Sequence, residues 1–414
     1  MREGFRYSPY QFAVFRIVLG LYLTVHFAAL IPYATELFSS RGALPDPSLV
    51  PTWGFSPNVL FWLDSPAAVT VFVALLAVLS LAFTAGAFRR SVALILWYGW
   101  ACLLGRQPFI SNPSIPFIGL LLLLCAVLPP GEPWRVTLGK VQDRSPRDWT
   151  LPTEAYAGVW VLMALGYSLS GIHKLGSPSW LDGTAVQWLV DNPLSRDTLL
   201  RRLMLKLPAW LTAAQTYAGL ALELLFAPLA LFVVTRKVVW LLMVGMHLCI
   251  AAVIDFADLT LAMLLLHLFT LDPRWFATQS KGETVVFYDG LCGLCDSFVQ
   301  FCLEEDRPHA LRFATLQGPL AQELLAGSPA ATDLETVAVK TSKGRILHRS
   351  SAALFVLRRL GGLWWLLGAA SMLIPPPLRD AIYRLIAKHR YRIFGKLEAC
   401  RIPTPAERAQ FLDT

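Results

Sequence analysis

Two cysteines separated by two residues, Cys292-Gly-Leu-Cys295, are the most chemically committed feature of this 414-residue chain. On a helix this spacing puts the second thiol one turn beyond the first, close enough to resolve a mixed disulfide. A first cysteine at the helix N-terminus gains further. Unpaired backbone N–H groups and the helix dipole stabilise its thiolate, which is the attacking form. The flanking residues favour that placement. Thr284 to Tyr288 reads as a buried strand, Asp289-Gly290 breaks it, and Cys292 to Glu305 has helical periodicity. A CxxC can also be half of a zinc site, but no second CxxC or His pair follows at suitable spacing. Cys302 lies on the same helix and reads as core, which leaves Cys400 as the other thiol of this region.

Lys174 is the second candidate, in the segment Ser170-Gly-Ile-His173-Lys174 that closes an apolar run and enters a long loop. A lysine at a membrane edge is ordinarily an interface anchor. Behind it, Trp180 and Gly183 suggest a turn lying back against the interface, where a partly desolvated amine is suited to act as a base. Glu223 sits in the middle of another apolar run with no basic residue within a helical turn. It must be protonated, face a water-filled cavity or pair with a different helix. His247 and His267 read as buried hydrogen-bonding residues rather than ligands, since no His/Cys/carboxylate cluster has metal-ligand spacing. Arg16, a turn and a half into the first apolar run, is expected to snorkel to the interface.

The elements that position these residues fall into two compositional regimes. The chain is 55% hydrophobic and 15% charged, against roughly 25% charged residues in a soluble domain. The deficit ends near Asp272, and from Arg274 onward charges return at normal density. Apolar runs at 12–32, 67–88, 91–105, 112–129, 155–173, 209–234, 238–254 and 256–271 are candidate spans, with Pro228 expected to kink the sixth. The first run directly follows Met1 to Gln11, exceeds a signal h-region and is followed by no small-residue cleavage site. The net charge of +8 is scattered over short loops and forms no basic stripe with interleaved aromatics, which excludes a nucleic-acid-binding reading. The Lys/Arg bias of the loops favours a cytoplasmic N-terminus in the cell (inner) membrane, and an even span count brings the C-terminal domain to the same side.

Beyond residue 281 the order is strand, CxxC, helix, then a strand at Leu311 to Thr315 and a helix opened by Pro319. A hairpin around Lys343-Gly344 and a helix from Ser350 to Leu360 complete it. The fold expected is thus an all-α polytopic membrane bundle (1–273, about eight helices) followed by an α/β thioredoxin-like domain (281–414). The stretch Gly361 to Pro375, with Trp364-Trp365, is too short to span and is expected to pack in the core rather than lie on the membrane.

The first region resembles the horizontally transferred transmembrane (HTTM) domain family of vitamin K-dependent gamma-carboxylase. The likeness rests on the order of apolar runs, His173-Lys174 with Trp180 and Gly183 behind it, Glu223 and His247. The resemblance implies a quinone-like ligand and a catalytic base at Lys174 on the non-cytoplasmic side, and His247 matches a family histidine. The carboxylase's large lumenal region, which binds its protein substrate, has no counterpart of comparable size, so glutamate carboxylation is not expected.

The second region resembles the DCC family of thiol-disulfide oxidoreductases. The matching residues are Tyr288-Asp289-Gly290-Leu-Cys292-Gly-Leu-Cys295, Leu316-Gln317, Ser351-Ala352, Pro375, Arg379-Asp380, Tyr383, Arg390-Tyr391-Arg-Ile-Phe394-Gly395 and Cys400. That likeness implies Cys292 as attacking thiol, Cys295 as resolving thiol and Asp289 as an aid to proton transfer. One departure from thioredoxins is visible. The nearest proline before the third strand is Pro329, seven residues ahead of Thr336, so substrate docking is not expected to copy theirs.

Three functions follow. The leading one is a membrane-anchored thiol-disulfide oxidoreductase acting on a protein thiol or disulfide, with a quinone or lipid bound in the bilayer half. The second is an oxygenase or carboxylase-like enzyme with Lys174 as base and the CxxC domain as redox partner. The third is a non-enzymatic redox-sensing membrane scaffold.

Overall fold

A computed structural model of the chain describes residues 7–137, 140–142, 149–255, 257–276, 282–306, 308–328, 337–397, 403–405 and 407–413. Cys400 and Pro329 lie outside these. The chain forms two compact units, Met1–Thr270 and Leu271–Thr414.

In the first unit each of the eight apolar runs contains a helix: α1 (Pro9–Leu30), α2 (Pro66–Thr84), α3 (Arg89–Arg106), α4 (Ile115–Val127), α5 (Thr153–Lys174), α6 (Ala209–Ala230), α7 (Val233–Val253) and α8 (Ala257–Thr270). Ser8 and Ser65 cap α1 and α2, accepting from the N–H of Gln11 and Ala68, and a proline follows each cap. Among the described residues, five helices (α1, α2, α5, α6 and α7) are long and apolar enough to cross a bilayer by length and composition. At 1.5 Å per residue the 13 residues of α4 reach only about 20 Å. Pro228 falls in the last turn of α6, which ends at Ala230 rather than running to residue 234; a new helix starts at Val233. A short antiparallel hairpin, β1 (Arg135–Thr137) with β2 (Lys140–Gln142), follows α4.

Arg16 does not snorkel. Its side chain is fully buried, paired with Glu132 at 3.3 Å, and donates to the carbonyls of Phe83 (3.0 Å), Trp134 (2.6 Å) and Thr84. Glu132 also pairs with Arg89 at 2.9 Å. The physical reason lies at the end of α2. Its last carbonyls have no intrahelical partner, and a guanidinium supplies several donors in one plane.

The second unit holds a mixed four-stranded sheet in the order β4–β3–β5–β6, where β3 is Thr284–Tyr288, β4 Leu311–Thr315, β5 Ala338–Lys340 and β6 Ile346–His348. β4 runs parallel to β3, and β5 and β6 are antiparallel to their neighbours, as a thioredoxin-like order requires. Helices α9 (Gly293–Glu305), α10 (Pro319–Leu324), α11 (Arg349–Leu360), α12 (Gly362–Ser371) and α13 (Pro376–Phe394) complete it. Phe287, Ala314 and Ala338, on three adjacent strands, are fully buried against Leu316 and Leu325. Within Gly361 to Pro375 the tryptophans pack inward. Trp364 donates to Glu305 at 2.8 Å, and Trp365 stacks on Phe276 with ring centroids 5.2 Å apart.

Candidate functional site

The dithiol is built where strand β3 ends. The Asp289 side chain accepts from the N–H of Leu291 (3.1 Å) and its carbonyl from the N–H of Cys292 (3.3 Å), which turns the chain out of the sheet. Cys292, with extended backbone, is then the N-cap of α9, and Cys295 lies in the first turn. The amides of Leu294 and Cys295 thus face the sulfur of Cys292, the arrangement expected from sequence.

Electrostatics follow from this geometry. The Cys292 pKa is lowered to about 6, chiefly because the Cys295 thiol donates to its sulfur. Burial opposes the shift, while the Cys295 and Leu294 N–H groups and the Arg390 charge add to it. The Cys295 thiol is raised, since ionising it would forfeit that bond, and burial adds to the effect. The pair is therefore split into one thiolate and one thiol at neutral pH. Cys302 is fully buried, with its thiol pushed up by desolvation, and takes no part.

Arg390 and Tyr391 come from the far end of the domain, near the C-terminus of α13. Arg390 donates to Asp289 Oδ2 at 3.0 Å, Tyr391 donates to the same oxygen, and Gln317 donates to Oδ1 at 3.0 Å. Burial works against the Asp289 carboxylate, but these donors and the Leu291 N–H outweigh it and hold its pKa below the usual range. Among the described residues the Asp289 backbone N–H donates to the Cys295 sulfur, but its carboxylate bonds neither thiol. Its direct partner is the guanidinium whose charge favours the Cys292 thiolate. Arg390 itself is raised: burial disfavours its charge, but the bonds to Tyr391 and Asp289 prevail.

The segment after α13 crosses the dithiol. Leu397 N–H donates to the Leu291 carbonyl (2.8 Å), and Gly293 N–H to the Gly395 carbonyl (3.3 Å), with Cys292 and Lys396 paired as in an antiparallel ladder. A side chain at position 293 would bring its Cβ within 2.3 Å of the Phe394 carbonyl oxygen, so only glycine admits this crossing. Cys292 is 0% exposed beneath it.

In the membrane unit, Lys174 at the end of α5 makes an ion pair with Glu223 in the middle of α6. This answers the need of Glu223 for a partner on another helix. The Lys174 ammonium also lies 4.5 Å from the centre of the Trp180 ring. Gly183, at φ +83°, turns the loop back so that Tyr217 reaches the Leu181 carbonyl at 3.0 Å. Lys174, Glu223, Trp180, Trp188, Tyr167 and His247 line a largely apolar cavity of about 610 Å³. At its inner side the Tyr167 hydroxyl is hydrogen-bonded to Nε2 of His247 (2.8 Å) and Nε2 of His267 (2.9 Å). Both histidines are thus the buried hydrogen-bonding residues expected. Tyr167 was not singled out from sequence, because one tyrosine in an apolar helix carries no periodic signal. Apolar walls with one charged pair among them are the make-up of a small-molecule site.

Comparisons with known proteins agree with this division. The model of the HTTM domain matches residues 6–275, and that of the DCC1-like thiol-disulfide oxidoreductase matches residues 286–396. The protein YuxK of Bacillus subtilis is 38% identical over 128 residues, 31% of this chain and 93% of that relative. A chloroplastic DCC family protein of Arabidopsis thaliana is 29% identical over 124 residues, 30% of this chain and 72% of the relative. No solved structure matches the chain.

Proposed function

The chain belongs to the HTTM domain family and carries a DCC1-like thiol-disulfide oxidoreductase domain, and from that premise we propose that it is a membrane-anchored dithiol reductase of disulfides. The observation that carries the reading is the split dithiol, a Cys292 thiolate held against a Cys295 thiol at a helix N-terminus. The Cys292 thiolate attacks a substrate disulfide, forming a mixed disulfide and expelling one substrate thiolate, which takes a proton from water. Cys295 then attacks Cys292 Sγ as its proton passes through solvent to the departing sulfur, releasing the second substrate thiol and leaving the Cys292–Cys295 disulfide. Two electrons pass to the substrate, and a dithiol reductant must restore the enzyme. Asp289 acts through Arg390 as a positioning residue. The domain faces the cytoplasm in this reading, where the dithiol is the resting state. Reductase turnover by the purified chain tests it: a Cys292→Ser variant that keeps full activity refutes the proposal. Labelling of Cys292 in intact cells with a membrane-impermeant thiol reagent tests the side.

The cavity beside Lys174 favours a second reading, an oxygenase-like activity on a reduced quinone. An amine already paired with Glu223 must first pass its proton to that carboxylate before it can act as a base. Quinol oxidation lost in Lys174→Ala and kept in Cys292→Ser selects this reading over the first.

A further inference from the structure

Helix α13 has two working sides. Asp380, Tyr383, Ala387 and Arg390 turn inward: Asp380 accepts from Ser350, and the Tyr383 hydroxyl accepts from the N–H of Val337 at 2.8 Å. A different side carries Leu378, Ile382, Leu385, Ile386 and Ile393, spaced i, i+4, i+7, i+8 and i+15, all exposed and Ile393 at 66%. The turn before α13 adds Leu373, 87% exposed. An uncovered apolar stripe continuous with an apolar tip is unusual on a domain surface, and it requires an occupant.

Charge identifies that occupant. Arg384, Lys388 and Arg392 flank the stripe, and Asp380, the acidic residue of α13, is turned inward onto Ser350. Beside the tip lies a cavity of about 540 Å³ with Lys343, Arg345, Arg358 and Arg379 in its lining and no carboxylate among the described residues there. Arg379 joins the two features, donating to Ser351 in the cavity (3.0 Å) and to the Met372 sulfur at the tip (3.1 Å). An apolar ridge bordered by cations fits a surface that is apolar below and negative above.

We propose that the α12–α13 ridge docks the redox unit on an anionic lipid surface, with the stripe in the acyl-chain boundary and the cations on headgroup phosphates. The basic cavity then takes one phosphate group of a lipid at the rim. Because α13 also supplies Arg390 and Tyr391 and leads into the segment over Cys292, docking sets the dithiol beside the lipid–water boundary.

The test is hydroxyl-radical footprinting of the full chain in detergent, in phosphatidylcholine nanodiscs and in nanodiscs containing phosphatidylglycerol. Labelling of Leu373, Leu385 and Ile386 is expected to fall severalfold in the anionic discs alone. Reversing Arg384 and Lys388 to glutamate should restore it, since each cation near an anionic surface is worth about fivefold in partitioning. Equal labelling in all three media overturns the proposal, because the face is then free or covered by protein. Equal protection in both kinds of disc overturns the anionic assignment.

Discussion

The two candidate sites treat charge in opposite ways. In the bundle, Lys174 is neutralised by Glu223 on another helix and shielded by an indole, as an ammonium bordering hydrocarbon requires. In the redox unit, the Cys292 thiolate has no counter-ion in direct contact among the described residues. It is held by a thiol, by two helix amides and by a guanidinium already committed to Asp289. A charge that must survive near lipid is cancelled by a direct counter-ion, while the reacting one is supported by dipoles and a shared guanidinium and covered by the segment after α13.

The largest expected effect separates the sites outright. Cys292→Ser should abolish disulfide reductase turnover, while Lys174→Ala leaves it unchanged within error; loss in both would mean that the sites act as one. Next, Glu223→Gln leaves an ammonium without its carboxylate. The cost of breaking a buried pair is about 3 kcal/mol, at the low end because the Lys174 side chain keeps 23% exposure. Thermal unfolding in detergent should show this as a lower midpoint, and a Lys174→Met/Glu223→Leu double variant should recover most of it.

Smaller effects probe how the thiolate is supported. Thiolate absorbance should titrate with a midpoint of about 6. This is a depressed acid, so the stability it gives the reduced fold is complete above the unfolded thiol pKa of about 8.5. That contribution is lost as pH falls through about 6. Arg390→Met should raise the midpoint by about one unit, since removal of a nearby opposite charge favours the thiol. The smallest shift is expected for Tyr391→Phe, which removes one of several donors to Asp289 and leaves Arg390 in place.

What the sequence disclosed divides along the same line. Cys292, Cys295 and the strand-turn-helix around them are local, so spacing and helix physics suffice to place the thiolate. The strands of the sheet were legible for the same reason, as were the apolar runs. Partners distant in the chain were not. Glu223 needed a cation, but nothing in its neighbourhood named Lys174, 49 residues earlier. Arg390 lies 101 residues beyond Asp289 and entered only as part of a family pattern, with no role attached. Arg16 looked like an interface residue because its depth in the helix was visible, while the carbonyls and Glu132 that enclose it were not.

The chain of Tyr167 between two histidines has a consequence of its own. A hydroxyl carries one proton, and each neutral imidazole carries one. With both Nε2 atoms bonded to that oxygen, Tyr167 donates to one ring and accepts from the other. The tautomers of His247 and His267 are therefore locked to opposite choices, and neither can change without the other. Shifting the two bridging protons alone would leave one ring doubly protonated and the other bare, so reversal also requires one Nδ1 to lose a proton and the other to gain one. With both Nδ1 atoms buried and without a partner among the described residues, the pair is held in a single arrangement between the cavity and the core.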